Sequence, residues 1–325
     1  MNSNVTAKSS SVWVDVLLAT YNGERFVAEQ IESILGQDYT HSRIVVRDDG
    51  SSDGTMAIIR KFVRQYPEKI RLLDDSVGNV GSAGNFLRLI ESSDADYAML
   101  SDQDDVWLPN KISMTMETMR ENEEKYGQST PILIHTDLRV TDVNLSVISD
   151  SFWKYQKISP DCDAINRLLV QNVVTGCTVM INRSLISLVR PASSGMIEHD
   201  WWLALIAAAF GKIAYVPKPT ILYRQHGMNV VGAVKWGVWS GIRKGFIDEN
   251  NNITKNLDRT RVQAAQFLKL YEHLLPPATK IKILKYSTLH ELSFFPRMIC
   301  IIRYRFFKIG MLRNIGMMLK MKSVS

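Results

Sequence analysis

Short apolar runs alternate with segments of helical periodicity through the first third of the chain. Trp13-Val14-Asp15-Val16-Leu17-Leu18-Ala19-Thr20 is β-branched and apolar, and predicts a buried first strand. It ends at the turn signal Tyr21-Asn22-Gly23, ahead of Phe26, Val27, Ile31, Ile34 and Leu35 at helical spacing. Arg43 to Arg47 predicts a second strand. After Asp48-Asp49-Gly50-Ser51-Ser52-Asp53-Gly54-Thr55, with Asp53 or Ser52 as cap, a helix should carry Ile58, Ile59, Phe62 and Val63. A third strand, Ile70 to Leu73, runs into the glycine-rich loop Gly78-Asn79-Val80-Gly81-Ser82-Ala83-Gly84-Asn85. A helix from Ala83 to about Ser92 and a strand from Tyr97 to Leu100 complete the repeat. Such alternation predicts an α/β fold with a mostly parallel central sheet covered by helices.

The carboxyl ends of parallel strands share one edge, so Thr20-Tyr21-Asn22, Asp48-Asp49, the glycine loop and Asp102-Gln103-Asp104 should converge. The last group belongs to Leu100-Ser101-Asp102-Gln103-Asp104-Asp105-Val106-Trp107, which places three carboxylates within four residues. Carboxylates this crowded repel unless a cation lies among them, and hard divalent cations prefer oxygen ligands. The stretch reads as a metal-diphosphate clamp or, alternatively, as a solvated acidic turn capping a helix that starts at Pro109. The glycine loop is no Walker lysine loop and reads equally as a flexible turn.

Beyond the Pro109 to Tyr126 helix, Ile132 to Leu138 predicts a strand, and Val173 to Ile181 a long β-rich run containing Thr175-Gly176-Cys177. Between them, Phe152, Trp153 and Tyr155 sit in a polar stretch where aromatics would either stack on sugar faces or anchor a loop. Glu198-His199-Asp200-Trp201-Trp202 precedes a helical run, Ile213 to Val216 is strand-like, and Tyr223-Arg224-Gln225-His226-Gly227 follows. Trp236, Trp239 and helical patterns at Arg261 to Leu275 and Ile281 to Phe295 predict an all-helical tail.

Ala19-Thr20-Tyr21-Asn22-Gly23, Asp48 to Thr55 and Ser101 to Trp107 together resemble the amino-terminal motifs of the family 2, GT-A fold, inverting glycosyltransferases, and the likeness runs from about Val12 to Gly232. It implies a nucleotide-diphospho-sugar donor and a Mg2+ or Mn2+ cofactor. Thr20, Tyr21, Asn22, Asp49, Asn85 and Asp102 would hold the nucleotide, with Asp49 accepting from the base imide. Asp104, with Asp102 and His226, would hold the metal, although a lone His is as well explained structurally. Trp107, Gly176, Cys177, His199, Trp201 and Arg224 would line the donor and acceptor pocket. Asp200 matches the general base of a Glu-Asp pair whose first acid is here replaced by His199; its other reading is a helix N-cap. Ser-Asp-Gln-Asp-Asp-Val-Trp with His-Asp-Trp-Trp is most similar to rhamnosyltransferases of bacterial O-antigen and surface polysaccharide. The resemblance thus implies transfer of L-rhamnose from dTDP-L-rhamnose to a polyprenyl-diphosphate-linked glycan. A UDP-linked galactose, glucose or N-acetylhexosamine donor stays open, as does a degenerate nucleotide- or glycan-binding module. A nucleotidyltransferase would want a basic glycine-rich loop near the amino terminus, which Thr20-Tyr21-Asn22-Gly23-Glu24 is not.

Composition changes this picture in one place. At 46% hydrophobic and 22% charged residues the chain is ordinary for a globular protein, and three scattered cysteines suggest neither a disulfide framework nor a zinc site. The net charge of +6, however, is concentrated. From Ala278 to Ser325 ten Lys or Arg face one acid, Glu291, leaving the remainder net acidic. Because Phe294, Phe295, Ile299 and Ile302 interleave with those cations, an amphipathic surface on anionic lipid is expected rather than a nucleic-acid site. A dimer interface or a solvated helical face would show the same pattern. Deleting Phe294 to Ser325 should then release the protein from membranes. The expected organisation is a disordered lead over 1–10, a catalytic domain over 11–232 with a nucleotide half (11–108) and an acceptor half (109–232), and a helical basic region over 233–325. The polar lead implies a cytoplasmic protein peripheral to the inner membrane face.

Overall fold

The computed structural model describes residues 12–190, 195–226 and 252–320. The expected lead over 1–10, the boundary at 232, and Trp236 and Trp239 lie outside the described residues.

The apolar runs become strands where the sequence places them. β1 (Val14–Thr20), β2 (Ser42–Asp48), β3 (Ile70–Leu72) and β4 (Tyr97–Ser101) alternate with α1 (Val27–Leu35), α2 (Thr55–Gln65) and α3 (Gly81–Ser92). β1 pairs in parallel with β2 on one side and with β4 on the other, and β3 adds beyond β2. The chain therefore winds outward from β1 and then returns across it, which opens a crevice at the carboxyl ends of β1 and β4. β5 (Val106–Trp107) and α4 (Lys111–Tyr126) follow, so the helix expected from Pro109 starts two residues later.

The chain beyond α4 extends the same sheet. After β6 (Ile132–Thr141) and β7 (Val147–Ser149) come α5 (Phe152–Gln156), α6 (Ile165–Leu168), β8 (Met180–Asn182), α7 (Arg183–Ile186), α8 (His199–Phe210) and β9 (Lys212–Arg224). The strand order is β3-β2-β1-β4-β8-β6-β9-β5, with β7 against β6. β8 joins the halves by antiparallel pairing to both β4 and β6, while β6 and β9 run parallel. The fold is thus α/β with a curled, mostly parallel central sheet.

Three expectations are corrected. Val173 to Ile181 is mostly coil: Val173, Val174 and Cys177 are buried, but Gly176–Thr178 forms a 3-10 turn and only Met180–Asn182 pairs. A continuous apolar run reports burial on every side, and here it is satisfied without a ladder. The strand expected at Ile213 to Val216 continues to Arg224, and its register with β6 shifts where Pro219 faces Asp137, since proline has no N–H to give the ladder. The helix expected over Ile281 to Phe295 is broken. The carboxyl-terminal region comprises α9 (Asn252–Tyr271), α10 (Pro277–Ser287), a 3-10 turn at Leu289–Glu291, α11 (Phe294–Tyr304) and α12 (Met311–Lys320).

These last helices share a core with the catalytic half. Trp202 of α8 meets Phe267 of α9 edge to face at 5.3 Å, and Phe267, Tyr286, Ile301 and Phe306 are fully buried in one apolar cluster with Leu203 and Ile206. Deleting Phe294 to Ser325 would remove Ile301 and Phe306 from that core, so the truncation tests stability before it tests location. Among the described residues, no helix is long and apolar enough to cross a membrane.

Candidate active site

The edge formed by the ends of β1, β2 and β4 is tied together by side chains that reach across it. Gln103 bridges two strand ends: its Oε1 accepts from the Tyr21 N–H at 2.8 Å and its Nε2 donates to the Tyr21 carbonyl at 2.9 Å. Gly23 makes this approach possible, because a Cβ there would stand 2.2 Å from the Gln103 Oε1. Asn22 has φ +48, a left-handed conformation that Asn tolerates, and accepts from the Ser52 N–H at 2.9 Å. Thr20 is buried and donates to Asp48 at 2.8 Å.

Asp49 is fully engaged. It accepts from Arg47 Nη1 at 2.8 Å, the Val80 N–H at 2.9 Å and the Gly81 N–H at 2.8 Å, so it ties the glycine loop to β2. Buried Asn85 supports the same Arg47 from α3. Thr20, Asp49 and Asn85 are thus built into the frame at the ends of β1 and β2, while Tyr21 stands half-exposed above it.

The acidic turn is held from below. Arg224, at the end of β9, donates through its backbone N–H to Asp105 at 3.1 Å and through Nε to the Asp104 carbonyl at 3.0 Å. Its remaining nitrogens reach the Val143 carbonyl and Glu29, and its guanidinium lies 4.7 Å above the Phe26 ring. Trp107 is buried in the core with the Lys111 ammonium 4.5 Å over its ring. Lys111 is itself fully buried, donates to the Cys177 carbonyl, and is pushed down to about 8 by burial. Trp107 and Arg224 therefore support the floor of the crevice. Asp105, Lys111, Gln103 and Glu29 were not assigned roles from sequence; only Asp105, as the third acid of its cluster, carried a signal there.

Above this floor the charges crowd. Burial first, then the charges of Asp104, Asp200 and Glu198, push the Asp102 carboxyl up to about 7. Asp200 is likewise raised to about 7, by burial and then by Glu198. Asp102, just past the end of β4, thus lies close enough to Asp200 of α8 to feel its charge. Asp104 meets His226, Oδ2 to Nε2 at 2.7 Å, and the His226 ring stacks on Phe26 at 4.9 Å. Asp104 and His226 thus offer a carboxylate and an imidazole in direct contact, and Asp102 lies near enough to feel the Asp104 charge, a mix of oxygen and nitrogen donors compatible with Mg2+ or Mn2+. Asp102, Asp105 and Cys177 also bring potential ligand atoms within 4.8 Å of one another. The Cys177 thiol, however, is raised by burial and is a soft ligand, and Asp105 already accepts from Arg224, so that trio fits such an ion less well.

Asp200 lies in the first turn of α8, where Glu198 and not Asp200 occupies the N-cap position. His199 beside it is buried, stacks on Phe86 with centroids 3.9 Å apart, and has both ring nitrogens without a hydrogen-bond partner. Burial pushes its imidazole down to about 3, so it is neutral. A Cβ on Gly176 would lie 2.7 Å from His199 Nε2, so the glycine makes room for the ring. Trp201 is anchored by its indole N–H to the Leu168 carbonyl at 2.6 Å.

A sheet that winds outward from β1 and returns across it to leave a crevice at the switch point is the arrangement of GT-A-type glycosyltransferases. The chain belongs to glycosyl transferase family 2, whose model matches residues 15–186. It is 33% identical over 222 residues to the dTDP-rhamnosyl transferase RfbG of Shigella flexneri, covering 66% of this chain and 74% of that protein. It is 26% identical over 197 residues to the UDP-Glc:alpha-D-GlcNAc-diphosphoundecaprenol beta-1,3-glucosyltransferase WfgD of Escherichia coli, covering 59% and 69%. Among solved structures, S. aureus TarS 1-349 in complex with UDP-GlcNAc superposes with a TM-score of 0.53 at 14% identity, covering 90% of this chain and 79% of that one. The mannosyltransferase PcManGT of Pyrobaculum calidifontis, in complex with GDP-Man and Mn2+, gives 0.50 at 15% identity, covering 95% and 84%. These two likenesses establish the fold alone. The matched family segment ends before Asp200 and His226.

Proposed function

We propose that this glycosyltransferase moves L-rhamnose from dTDP-L-rhamnose to a hydroxyl of a polyprenyl-diphosphate-linked oligosaccharide during bacterial surface-polysaccharide synthesis, working at the cytoplasmic face of the inner membrane. The observation that carries the chemistry is the buried Asp200 carboxyl in the first turn of α8, whose charge reaches Asp102 just past the end of β4. The likeness to RfbG supports the donor, and the diphosphoundecaprenol in the WfgD name supports the kind of acceptor.

Asp200 takes the proton of the acceptor hydroxyl as that oxygen attacks the anomeric carbon from the face opposite the diphosphate. The bond from carbon to the diphosphate oxygen breaks in the same event, the nucleoside diphosphate leaves with the electron pair, and the anomeric centre inverts. A carboxyl held near 7 is well matched to this task, being part ionised at neutral pH and basic enough to hold the proton. Tyr21 and Asn22 face the nucleoside from the end of β1, on the frame made by Asp49 and Asn85. Asp104, Asp102 and His226 would hold Mg2+ or Mn2+, which when bound neutralises the diphosphate as charge develops on it.

A second reading keeps the mechanism and changes the donor to a UDP-sugar, as the WfgD name allows. The test is a sugar-nucleotide panel on the purified chain with Mg2+ or Mn2+, following donor binding and slow donor hydrolysis. Selective binding and turnover of dTDP-rhamnose is expected. Preference for a UDP-sugar would replace the donor alone, and failure of every donor would favour a non-catalytic binding module.

A further inference from the structure

Two cavities lie against the carboxyl-terminal helices. The nearer, of about 330 Å3, is lined by Gln171, Asn172, Ile197, Trp201, Arg259 and Lys308. It adjoins the base, since the Asn172 side chain hydrogen-bonds Asp200 and Trp201 follows it in the chain. The farther, of about 570 Å3, is lined by Arg167, Lys282, Arg303, Tyr304, Arg305 and Phe307, with the Asp161 carboxylate at its edge. A single seam separates the two: Arg167 Nη2 donates to the Lys308 carbonyl at 3.3 Å, and Gln171 accepts from the Ile309 N–H at 2.9 Å.

The farther cavity holds four cations against one carboxylate, and among the described residues none of the four takes part in an ion pair. Asp161 is itself turned to Tyr215, accepting its hydroxyl proton at 2.7 Å. Cations gathered without counter-charge around a concave site of this size favour a multiply charged anion. The helix that supplies Arg303 also carries an exposed apolar stripe: Phe295, Ile299 and Ile302, spaced to share one face, are 77%, 65% and 61% exposed. The base is thus linked to the nearer cavity through Asn172, that cavity to the cationic one through Lys308 and Arg167, and the cationic one to the apolar stripe through the helix of Arg303.

We propose that this series is the acceptor track. The cationic cavity binds the diphosphate of the lipid-linked acceptor, its first isoprene units lie on the Phe295–Ile299–Ile302 face, and the glycan passes through the nearer cavity to Asp200. This deepens the reading of the acceptor as lipid-linked and rests on it. The bridge from cation to phosphate also explains why the basic residues of the carboxyl-terminal region interleave with apolar ones: a single substrate carries both a charged head and a greasy chain.

The test uses the full chain in EDTA, so that no metal site competes for phosphate, with farnesyl diphosphate, inorganic pyrophosphate and farnesol as probes in calorimetry. Farnesyl diphosphate should bind, pyrophosphate more weakly, and farnesol not measurably. Lys282→Gln with Arg303→Gln alters two residues that make no hydrogen bond among the described residues, so an unchanged melting temperature is expected; farnesyl diphosphate affinity should fall at least tenfold. Asp104→Ala should leave that affinity unchanged. The proposal is overturned if the double variant binds as well as the parent, if farnesol matches the diphosphate, or if Asp104→Ala abolishes binding and so places it in the donor site. It is also overturned if the double variant loses only its sedimentation with phosphatidylglycerol vesicles, since the surface would then serve the bilayer and not the substrate. Binding of dTDP-rhamnose, measured separately, fails or survives independently of these outcomes.

Discussion

The two sides of the crevice meet the same problem, buried polar groups, in opposite ways. On the nucleotide side Asp49 is buried and receives hydrogen bonds from Arg47, Val80 and Gly81. Asn85 and Thr20 are similarly placed among partners. Across the crevice, Asp200 is raised to about 7 by burial and then by Glu198, Asp102 is raised to about 7 by burial and then by Asp104 and Asp200, and neither ring nitrogen of His199 has a hydrogen-bond partner. Groups paired with donors and counter-charge make a rigid frame and cost little, whereas carboxyls crowded by like charge and an imidazole without partners are held at a free-energy cost. Under the proposed function the nucleotide side is therefore a mould, and the acceptor side is where chemistry is poised.

The sharpest way to break this comparison is to exchange the two carboxylates' fates. Asp200→Asn should lower turnover by about 10²–10⁴-fold, the usual worth of a positioned base, with donor affinity retained. Its melting temperature should not fall, since the amide removes a charge that burial disfavours. Asp49→Ala should do the reverse. It leaves the buried Arg47 guanidinium with one carboxylate partner, Asp75, and unties the glycine loop, so stability should fall by about 3–5 kcal/mol in denaturant titrations. If Asp49→Ala were as stable as the parent, the rigid-mould description would be wrong.

The frame was largely legible in sequence and the poise was not. The first four strands and their helices follow from apolar runs and turn residues, and their shared edge follows from parallel topology alone. That edge, in turn, located Asp49, Asp102 and Asp104. Trp107 and Arg224 were read as pocket residues because they stand beside motif positions, yet Trp107 faces the core and Arg224 is committed to Glu29 and to the carbonyls of Asp104 and Val143. Proximity in sequence to a ligand residue does not say which way a side chain points, and only β9 pairing with β5 decides it. The buried Lys111 gave no signal, since nothing in Asn110-Lys111-Ile112 distinguishes a lysine under the site from one in water. Nor could the chain's periodicity show that the last helices share a core with α8, because that contact joins segments some sixty residues apart, such as Trp202 and Phe267.

A smaller effect probes the join between the strand ends. Gly23→Ala would place a methyl where the Gln103 amide lies, so the two Gln103–Tyr21 hydrogen bonds must break or the loop must move. Overpacking of this kind costs about 1–3 kcal/mol. Because Gln103 stands between Asp102 and Asp104, donor affinity should fall with stability. Gln103→Ala in the same background should restore stability without restoring affinity, which separates the clash from the lost bridge.

The smallest effect sharpens the comparison through pH. Both buried histidines of the described residues, His135 on β6 and His199 on α8, lie on the acceptor side, and both lack hydrogen-bond partners. Burial lowers His135 to about 4 and His199 to about 3, from an ordinary 6.5. An imidazole whose pKa is lower in the folded state stabilises the fold fully above 6.5. As pH falls through that value the unfolded chain takes up the proton first, and stability is lost until the folded pKa is reached. For His135 alone this amounts to about 2 kcal/mol between pH 7.5 and 5. His135→Phe, which keeps an aromatic ring against Trp153 and Tyr215, should flatten that part of the stability profile while leaving the pH 7.5 value within about 1 kcal/mol. A variant whose acid sensitivity matched the parent's would show that the acceptor side is not where the folded chain refuses protons.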